Sequence, residues 1–423
     1  MTQLLSCRIP ASIRLLVREN SLVMQTHSVP IDHATFLRTP AASFMALAAA
    51  IGTATMYPLQ PGVAVVADSM DTSVVEIGIA LGCGPVGYLV GLVVLVPLVD
   101  RFAPRKVLSA QFGALAIVLA INAVVGVPWL LGLVVGVVGA GSSVGAQLSS
   151  VAGRFADPQR RATVLGIVTA GISAGILAGR IVGGWLTDAI GWPGMLLAFA
   201  TACVLIAVAA LFVLPATPGP VTAGYLATVR ALPGLFVRHP LMRLAASRGA
   251  LWFFAFCAVW AGVAVALSQP PFSYSAERIG LYAAAGLLGI VATPLAGAWT
   301  DRVGARTVIL VGLALAVIAT GALCLVLSST VVTLICLGLF DAGLFAAQVA
   351  NQSTVLAIDT TAPAQFNSAY MVVYFIGGSV GTAFGAAAVA RWGWSVTAAI
   401  AAGAILIAAA ATALARQGGI TPA

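Results

Sequence analysis

Pro97-Leu-Val-Asp100-Arg101-Phe-Ala-Pro-Arg105-Lys106 interrupts one apolar stretch of the chain, and Gly297-Ala-Trp-Thr-Asp301-Arg302-Val-Gly304-Ala-Arg306 interrupts another. Asp100 and Asp301 stand 201 residues apart, and so do Gln147 and Gln348. The Gly191-Trp192 and Gly393-Trp394 pairs stand 202 apart. Three landmarks in one order at one spacing mark a duplicated half. Two similar halves suit a secondary transporter, in which they rock about a shared site near the membrane midplane.

The bulk composition leaves little room for a soluble protein. Apolar residues make up 61% of the chain and charged residues 8%, against about 25% charge in soluble domains. The mean hydropathy is +1.08. A spanning helix needs ~20 mostly apolar residues. Twelve candidates follow, at 42–66, 74–98, 107–125, 128–151, 162–186, 194–214, 248–268, 279–299, 307–327, 331–353, 366–389 and 394–415. The 45 glycines suit helices that approach closely in lipid.

Charge placement orients these spans. With the N-terminus in the cytoplasm, 17 of the 20 basic residues fall on that side, Arg180, Arg278 and Arg391 being the exceptions. The positive-inside rule then predicts both termini in the cytoplasm. The net charge of +8 is a topology signal on this reading, with no nucleic-acid role. The expected organisation is a disordered tail over 1–41 and a six-helix bundle over 42–214. A cytoplasmic connector over 215–247, a second bundle over 248–415 and a tail over 416–423 complete it. The tail lacks a cleavable-signal pattern, and Met24 offers an alternative start.

Several chemistries are excluded. Lys106 is the only lysine, and no glycine-rich phosphate cradle precedes it, so the chain holds no Walker-type nucleotide site. Six scattered cysteines without a Cys-x-x-Cys, and three histidines in predicted cytoplasmic segments, give neither a disulfide framework nor a metal site. No nucleophile–base arrangement argues for an enzyme.

The two loops carry a resemblance. The chain resembles the major facilitator superfamily, in its twelve-helix, drug:proton-antiporter-like group, over about 40–415. The family's loop is Gly-x-Leu-Ala-Asp-Arg-x-Gly-Arg-Arg. Leu98, Asp100, Arg101, Arg105 and Lys106 match it, while Val96 replaces its glycine and Ala103-Pro104 its Gly-Arg pair. The second copy keeps Gly297, Asp301, Arg302, Gly304 and Arg306. Tyr57-Pro-Leu-Gln60-Pro61, Gln147, Asn351-Gln352 and Asn367-Ser-Ala-Tyr370 with Gly377-Gly378 resemble exporters related to purine-nucleoside and arabinose-type efflux proteins. The resemblance implies an all-α integral membrane protein of twelve helices in two pseudo-symmetric bundles, the major facilitator fold. It implies the bacterial inner membrane, no cofactor and a proton gradient as energy source; a monomer is expected because the two halves already supply both sides of the cavity. The partners it implies are lipid, protons and a small-molecule substrate.

It also gives the loops a role. An aspartate at a helix end can accept from the free N–H groups of a neighbouring helix start. Asp100, Arg101, Arg105, Asp301, Arg302 and Arg306 are thus expected to latch one face shut and to release as the halves rock; the alternative is that these charges only fix the orientation of the spans.

Helix five carries Gly175, Gly179, Gly183 and Gly184 at the spacing of the family's Gly-x-x-x-Gly-Pro-x-x-Gly-Gly, with Arg180 where the proline stands. Glycines so spaced make a flat groove for a neighbouring helix, and Gly377 and Gly381 repeat the idea in helix eleven. Arg180 lies about 12 Å inside Asp188 at 1.5 Å per residue, a depth where a charge faces a cavity, pairs with a partner or snorkels outward.

Asp341 lies near the middle of helix ten, with Ala140 as its counterpart in the first half, so duplication does not account for it. Desolvation there favours the neutral carboxyl, as a proton carrier needs; a structural aspartate bonded to a neighbouring helix is the alternative. The expected substrate cavity draws on Gln60, Gln147, Arg180, Trp260, Gln348, Tyr370 and Tyr374, for each of which helix packing is the alternative. Few fixed charges suggest neutral, cationic or amphipathic substrates, and Arg180 permits an anion. The function expected is proton-coupled export by alternating access. The alternatives are an uptake symporter for a sugar, nucleoside or organic acid, and a non-transporting membrane sensor.

Overall fold

The computed structural model describes residues 39–156, 161–218, 234–359 and 363–415, without the side chains of Thr39, Asp100, Arg161, Ala162 and 363–365. The expected N-terminal tail up to residue 38, with Met24, and the tail beyond Ala415 lie outside those residues, as does 219–233 of the expected connector.

Among the described residues nine helices are long and apolar enough to cross a membrane. Two of them are each a pair of spans joined at a break, which gives eleven, and the shorter apolar helix Thr39–Ala54 with Val63–Ser69 makes the twelfth. The helix Arg161–Val213 breaks at Gly191, with φ 76°, and Pro363–Leu414 breaks at Gly393, with φ 79°. Those angles lie in the left-handed region that only glycine adopts without strain. Each break is then pinned by the tryptophan after it. Trp192 donates to the Ser69 hydroxyl at 2.9 Å, and Trp394 to the Leu323 carbonyl at 2.7 Å. The duplicated Gly-Trp pair is therefore the corner joining spans five and six, and again spans eleven and twelve.

Span 1 is shorter because its own sequence divides it. Thr39–Ala54 and Val63–Ser69 are separated by turns around Pro58 and Pro61, where a missing N–H and a fixed φ prevent a continuous helix. Span 2 is Val74–Val94, capped by Ser73, whose hydroxyl accepts from the Glu76 N–H at 3.2 Å. Span 3 is Pro104–Asn122, and span 4 is Pro128–Phe155. Span 7 is Pro240–Ser268, beginning eight residues before the expected start, with proline at its first turn. Span 8 is Ala276–Val303, span 9 Ala305–Val326 and span 10 Thr330–Leu356.

Two duplicated contacts set the packing inside each half. Gly171, Gly175, Gly179 and Gly183 of span 5 lie against Ala46, Ala50, Ala54 and Pro58 of span 1. Gly377, Gly381 and Gly385 of span 11 lie against Ala250, Phe254 and Ala258 of span 7. A Cβ on Gly179 would stand 2.5 Å from the Ala54 carbonyl oxygen, so glycine is what permits this approach. Large apolar side chains such as Phe212, Ile318, Leu325 and Leu295 stay exposed on the outside. Water would penalise such belts, and lipid does not.

The Asp-Arg loops lie at one end of the bundle, here the basic face; the loops around Thr72 and Ser273 lie at the far face. The halves converge toward the far face. Gly78 meets Ala386, Gly82 meets Ala383, Gly184 meets the Ala276 carbonyl, and Gly280 stands 2.5 Å, measured from an ideal Cβ, from the Arg180 carbonyl. Asp188 completes this seal by accepting from the Ala276 and Glu277 N–H groups at 3.2 and 2.8 Å.

Candidate functional site

A cavity of about 820 Å³, open in part to solvent, lies between the halves on the basic side of that seal. Its walls are aromatic. Phe253 stacks on Tyr374 with ring centroids 3.9 Å apart, and Phe256 meets Phe345 edge-on at 6.0 Å. Tyr88 and Phe375, from opposite halves, close to 4.8 Å. Spans 7, 10 and 11 supply most of this surface because their periodic aromatic positions face the first half. Tyr57, Tyr88, Ser142 and Thr53 add hydroxyls from the other wall.

Of the residues expected to line a cavity, Gln348 and Tyr374 do so. Tyr370 stands one layer behind, fully buried, and donates to Gln348 Oε1 at 2.5 Å. Gln147 is fully buried against span 2, donating to the Leu95 carbonyl at 2.7 Å, which joins helices within one half.

Gln60, Arg180 and Trp260 form a separate cluster nearer the far face, around a small void. Arg180 is 5% exposed, and its Nε donates to Gln60 Oε1 at 2.9 Å. Its guanidinium lies over the Trp260 ring at 4.5 Å and the Tyr57 ring at 5.0 Å. The Trp260 indole N–H donates to Asp341 Oδ1 at 3.1 Å. Asp341 is 2% exposed, and glycines 286 and 289 of span 8 give it room, an ideal Cβ on Gly286 falling 3.2 Å from Oδ2. A cation of the first half is thus joined to a carboxylate of the second through one indole, stacked on its face and hydrogen-bonded at its edge. Both contacts are favourable to charge in a dry site.

The loops are less alike than their sequences. The Arg306 guanidinium donates to the Ala413 carbonyl at 2.6 Å, tying span 9 to span 12. In the first copy the Arg105 backbone N–H does the matching work on the Pro215 carbonyl at 3.2 Å. Arg154 reaches the Val99 carbonyl at 3.0 Å and Thr217 at 3.4 Å. The Asp100 side chain lies outside the described residues. Arg101, Asp301 and Arg302 are exposed. The aspartate seen capping a helix start across the halves is Asp188, at the opposite face.

Two residues escaped the sequence reading. Arg248 is expected at the very start of its span, at the cytoplasmic edge; it lies two turns inside span 7, 4% exposed, with Nε donating to Asn351 Oδ1 at 2.6 Å. Trp252, one turn on, lines the cavity. The signal was the spacing of Arg248, Trp252 and Phe256, four residues apart and hence on one helical face.

The comparisons with known proteins agree with this architecture. Residues 42–269 and 251–419 match the Major Facilitator Superfamily. Probable transporter SCO4007 of Streptomyces coelicolor is 31% identical over 364 residues, 84% of this chain and 83% of its own. Uncharacterized transporter YgaY of Escherichia coli O157:H7 is 28% identical over 83% of this chain and 89% of its own. Among solved structures, a bacterial homologue of the human lysosomal transporter Spinster, inward-facing and occupied, aligns with TM-score 0.71 at 16% identity, covering 89% of this chain and 96% of its own. The nucleoside transporter NupG, in a mutant form, aligns with TM-score 0.70 at 14% identity, covering 87% and 99%. The paired six-helix halves, the duplicated loops and these matches together make the chain a member of the Major Facilitator Superfamily, a multi-pass membrane transporter and not an enzyme.

Proposed function

We propose that the chain is a proton-coupled exporter of small organic molecules, working by alternating access with its basic face in the cytoplasm. The observation that carries this reading is the Arg180–Trp260–Asp341 relay across the two halves. Asp341 is the proton carrier. With the far face shut, Arg180 and the indole N–H stabilise its ionised form, and the proton leaves toward the cytoplasm. When the halves part at the far face, Arg180 withdraws with the first half. Asp341 is then a carboxylate in an apolar site without a cation, and it takes a proton from outside. Substrate occupies the aromatic cavity and leaves by the far face in the opened state. Gly184, Gly280 and Asp188 form the seal that opens. The loops at the basic face close the other gate in turn, with Asp100 and Asp301 as the latching carboxylates.

The test is compound accumulation in an efflux-deficient bacterial host, across a panel of drugs, dyes and aromatic acids, with and without a protonophore. Wild type lowers accumulation of at least one compound. Asp341→Asn at matched expression and the protonophore each abolish that effect. Raised accumulation in the wild type would instead give an uptake symporter, and an active Asp341→Asn would remove Asp341 from the coupling path.

A further inference from the structure

The free polar groups at one end of the aromatic cavity are all donors. Trp252 is 1% exposed, lines the wall, and has no acceptor for its indole N–H. Gln348 engages its Oε1 with the Tyr370 hydroxyl, which leaves its amide nitrogen as the free end. One turn before Trp252, on the same helical face, Arg248 is held through Nε by Asn351. Asn351 is itself fixed by donating to the Ala245 carbonyl at 3.0 Å. Neither Nη of Arg248 has an acceptor among the described residues, and no aspartate or glutamate there pairs with it. No acidic side chain lines the cavity. Arg180 and Asp341 balance one another at the far end, so the buried charge left over is that of Arg248.

Arg248 is not itself part of the wall, but it stands one turn from Trp252, which is, and a buried guanidinium with idle N–H groups there calls for an acceptor of opposite charge. We infer that the cavity takes an organic anion, an aromatic body carrying a carboxylate. The carboxylate oxygens meet Arg248, Trp252 and Gln348. The body stacks among Phe253, Tyr374, Phe256 and Phe345. Lipophilic cations are disfavoured in spite of the ring faces, because no carboxylate lines the cavity to hold them and the charge of Arg248 repels them. The inference deepens the transport reading and rests on it only for the fate of the bound anion.

Three probes with one aromatic body separate charge from shape: 2-naphthoate, 2-naphthalenemethanol and 2-naphthylmethylammonium. Their binding is measured by calorimetry on the purified full chain. The expected result is that naphthoate binds about tenfold or more tighter than the alcohol, as one charge-assisted contact allows, and that the ammonium binds weakest. Arg248→Gln removes the preference, and Arg248→Lys keeps part of it. Equal binding of all three, tightest binding of the ammonium, no binding of any, or a preference that survives Arg248→Gln would each overturn the inference. The wild-type series decides even where a variant fails to fold. If naphthoate binds as expected but proteoliposomes with a proton gradient do not move it, the anion site stands and the proton-coupled reading falls.

Discussion

Among the described residues two arginines are buried, and they are stabilised in different ways. Arg180 belongs to the first half and leans on the second, over the Trp260 ring whose N–H holds Asp341. Arg248 belongs to the second half and is held there by Asn351 of the same half. One arginine has its counter-charge in the other half. The other has its neighbours in its own half and, among the described residues, no counter-charge. In the proposed cycle the first arrangement would report the state of the gate, and the second would offer a fixed charge to whatever occupies the cavity.

The largest effect expected from breaking this contrast is on Arg180. Arg180→Gln leaves Asp341 buried without a cation and lowers stability by about 3 kcal/mol, near the low end for removing one partner of a buried ion pair, because an indole separates the two charges. Thermal unfolding of the purified protein measures it. The same substitution in an Asp341→Asn background costs distinctly less, since there is no buried carboxylate to strand. Equal costs in both backgrounds would show that Arg180 and Asp341 do not communicate.

Helix packing comes next. Gly179→Val drives a side chain into the Ala54 carbonyl and parts spans 5 and 1, at about 1–3 kcal/mol. Gly153→Ala, where an added Cβ meets nothing within 4 Å, is the control and leaves the melting temperature unchanged or slightly raised. The contrast matters because Gly179 precedes Arg180 and fixes its depth.

Asp188 is a smaller case. Asp188→Asn removes the charge from two helix-start N–H groups, a loss of about 0.3–1 kcal/mol at a partly exposed helix end. The loss falls on the closed far face alone. A cysteine placed at Gln269 should therefore react faster with an impermeant maleimide in Asp188→Asn than in the parent. An unchanged rate would mean that the glycine contacts close that face without Asp188.

The duplication made much of this legible. The twelve spans follow from hydropathy and the two halves from landmarks 201 or 202 residues apart; that the repeated Gly-Trp pair is a corner emerges only from the breaks at Gly191 and Gly393. Asp341 is visible as an acid whose counterpart in the other half is Ala140. What the sequence hid was depth and facing. Gln147 and Gln348 are symmetric in sequence, yet one bonds a backbone carbonyl inside its half and the other reaches the cavity. Span 7 begins at Pro240 and not at Arg248, so an arginine two turns inside a helix reads as a charge at its edge. Hydropathy averages over a window and cannot place one charge to within a turn.

The smallest stability effect expected is at Arg248, and it is the most telling for the comparison. Arg248 has no acid to leave stranded, so Arg248→Gln removes a desolvated charge along with its bond to Asn351. The loss of a hydrogen bond to a charged group, about 1.5–3 kcal/mol, is offset by relief of the charge's burial and by the amide's own bond to Asn351. The melting temperature then stays near that of the wild type, while Arg180→Gln lowers it clearly. A large loss at Arg248 would mean that its charge is satisfied in the empty protein, and an idle cation awaiting an anion would no longer describe it. A small loss, together with a lost preference for the carboxylate probe, separates a residue kept for its ligand from one kept for the gate.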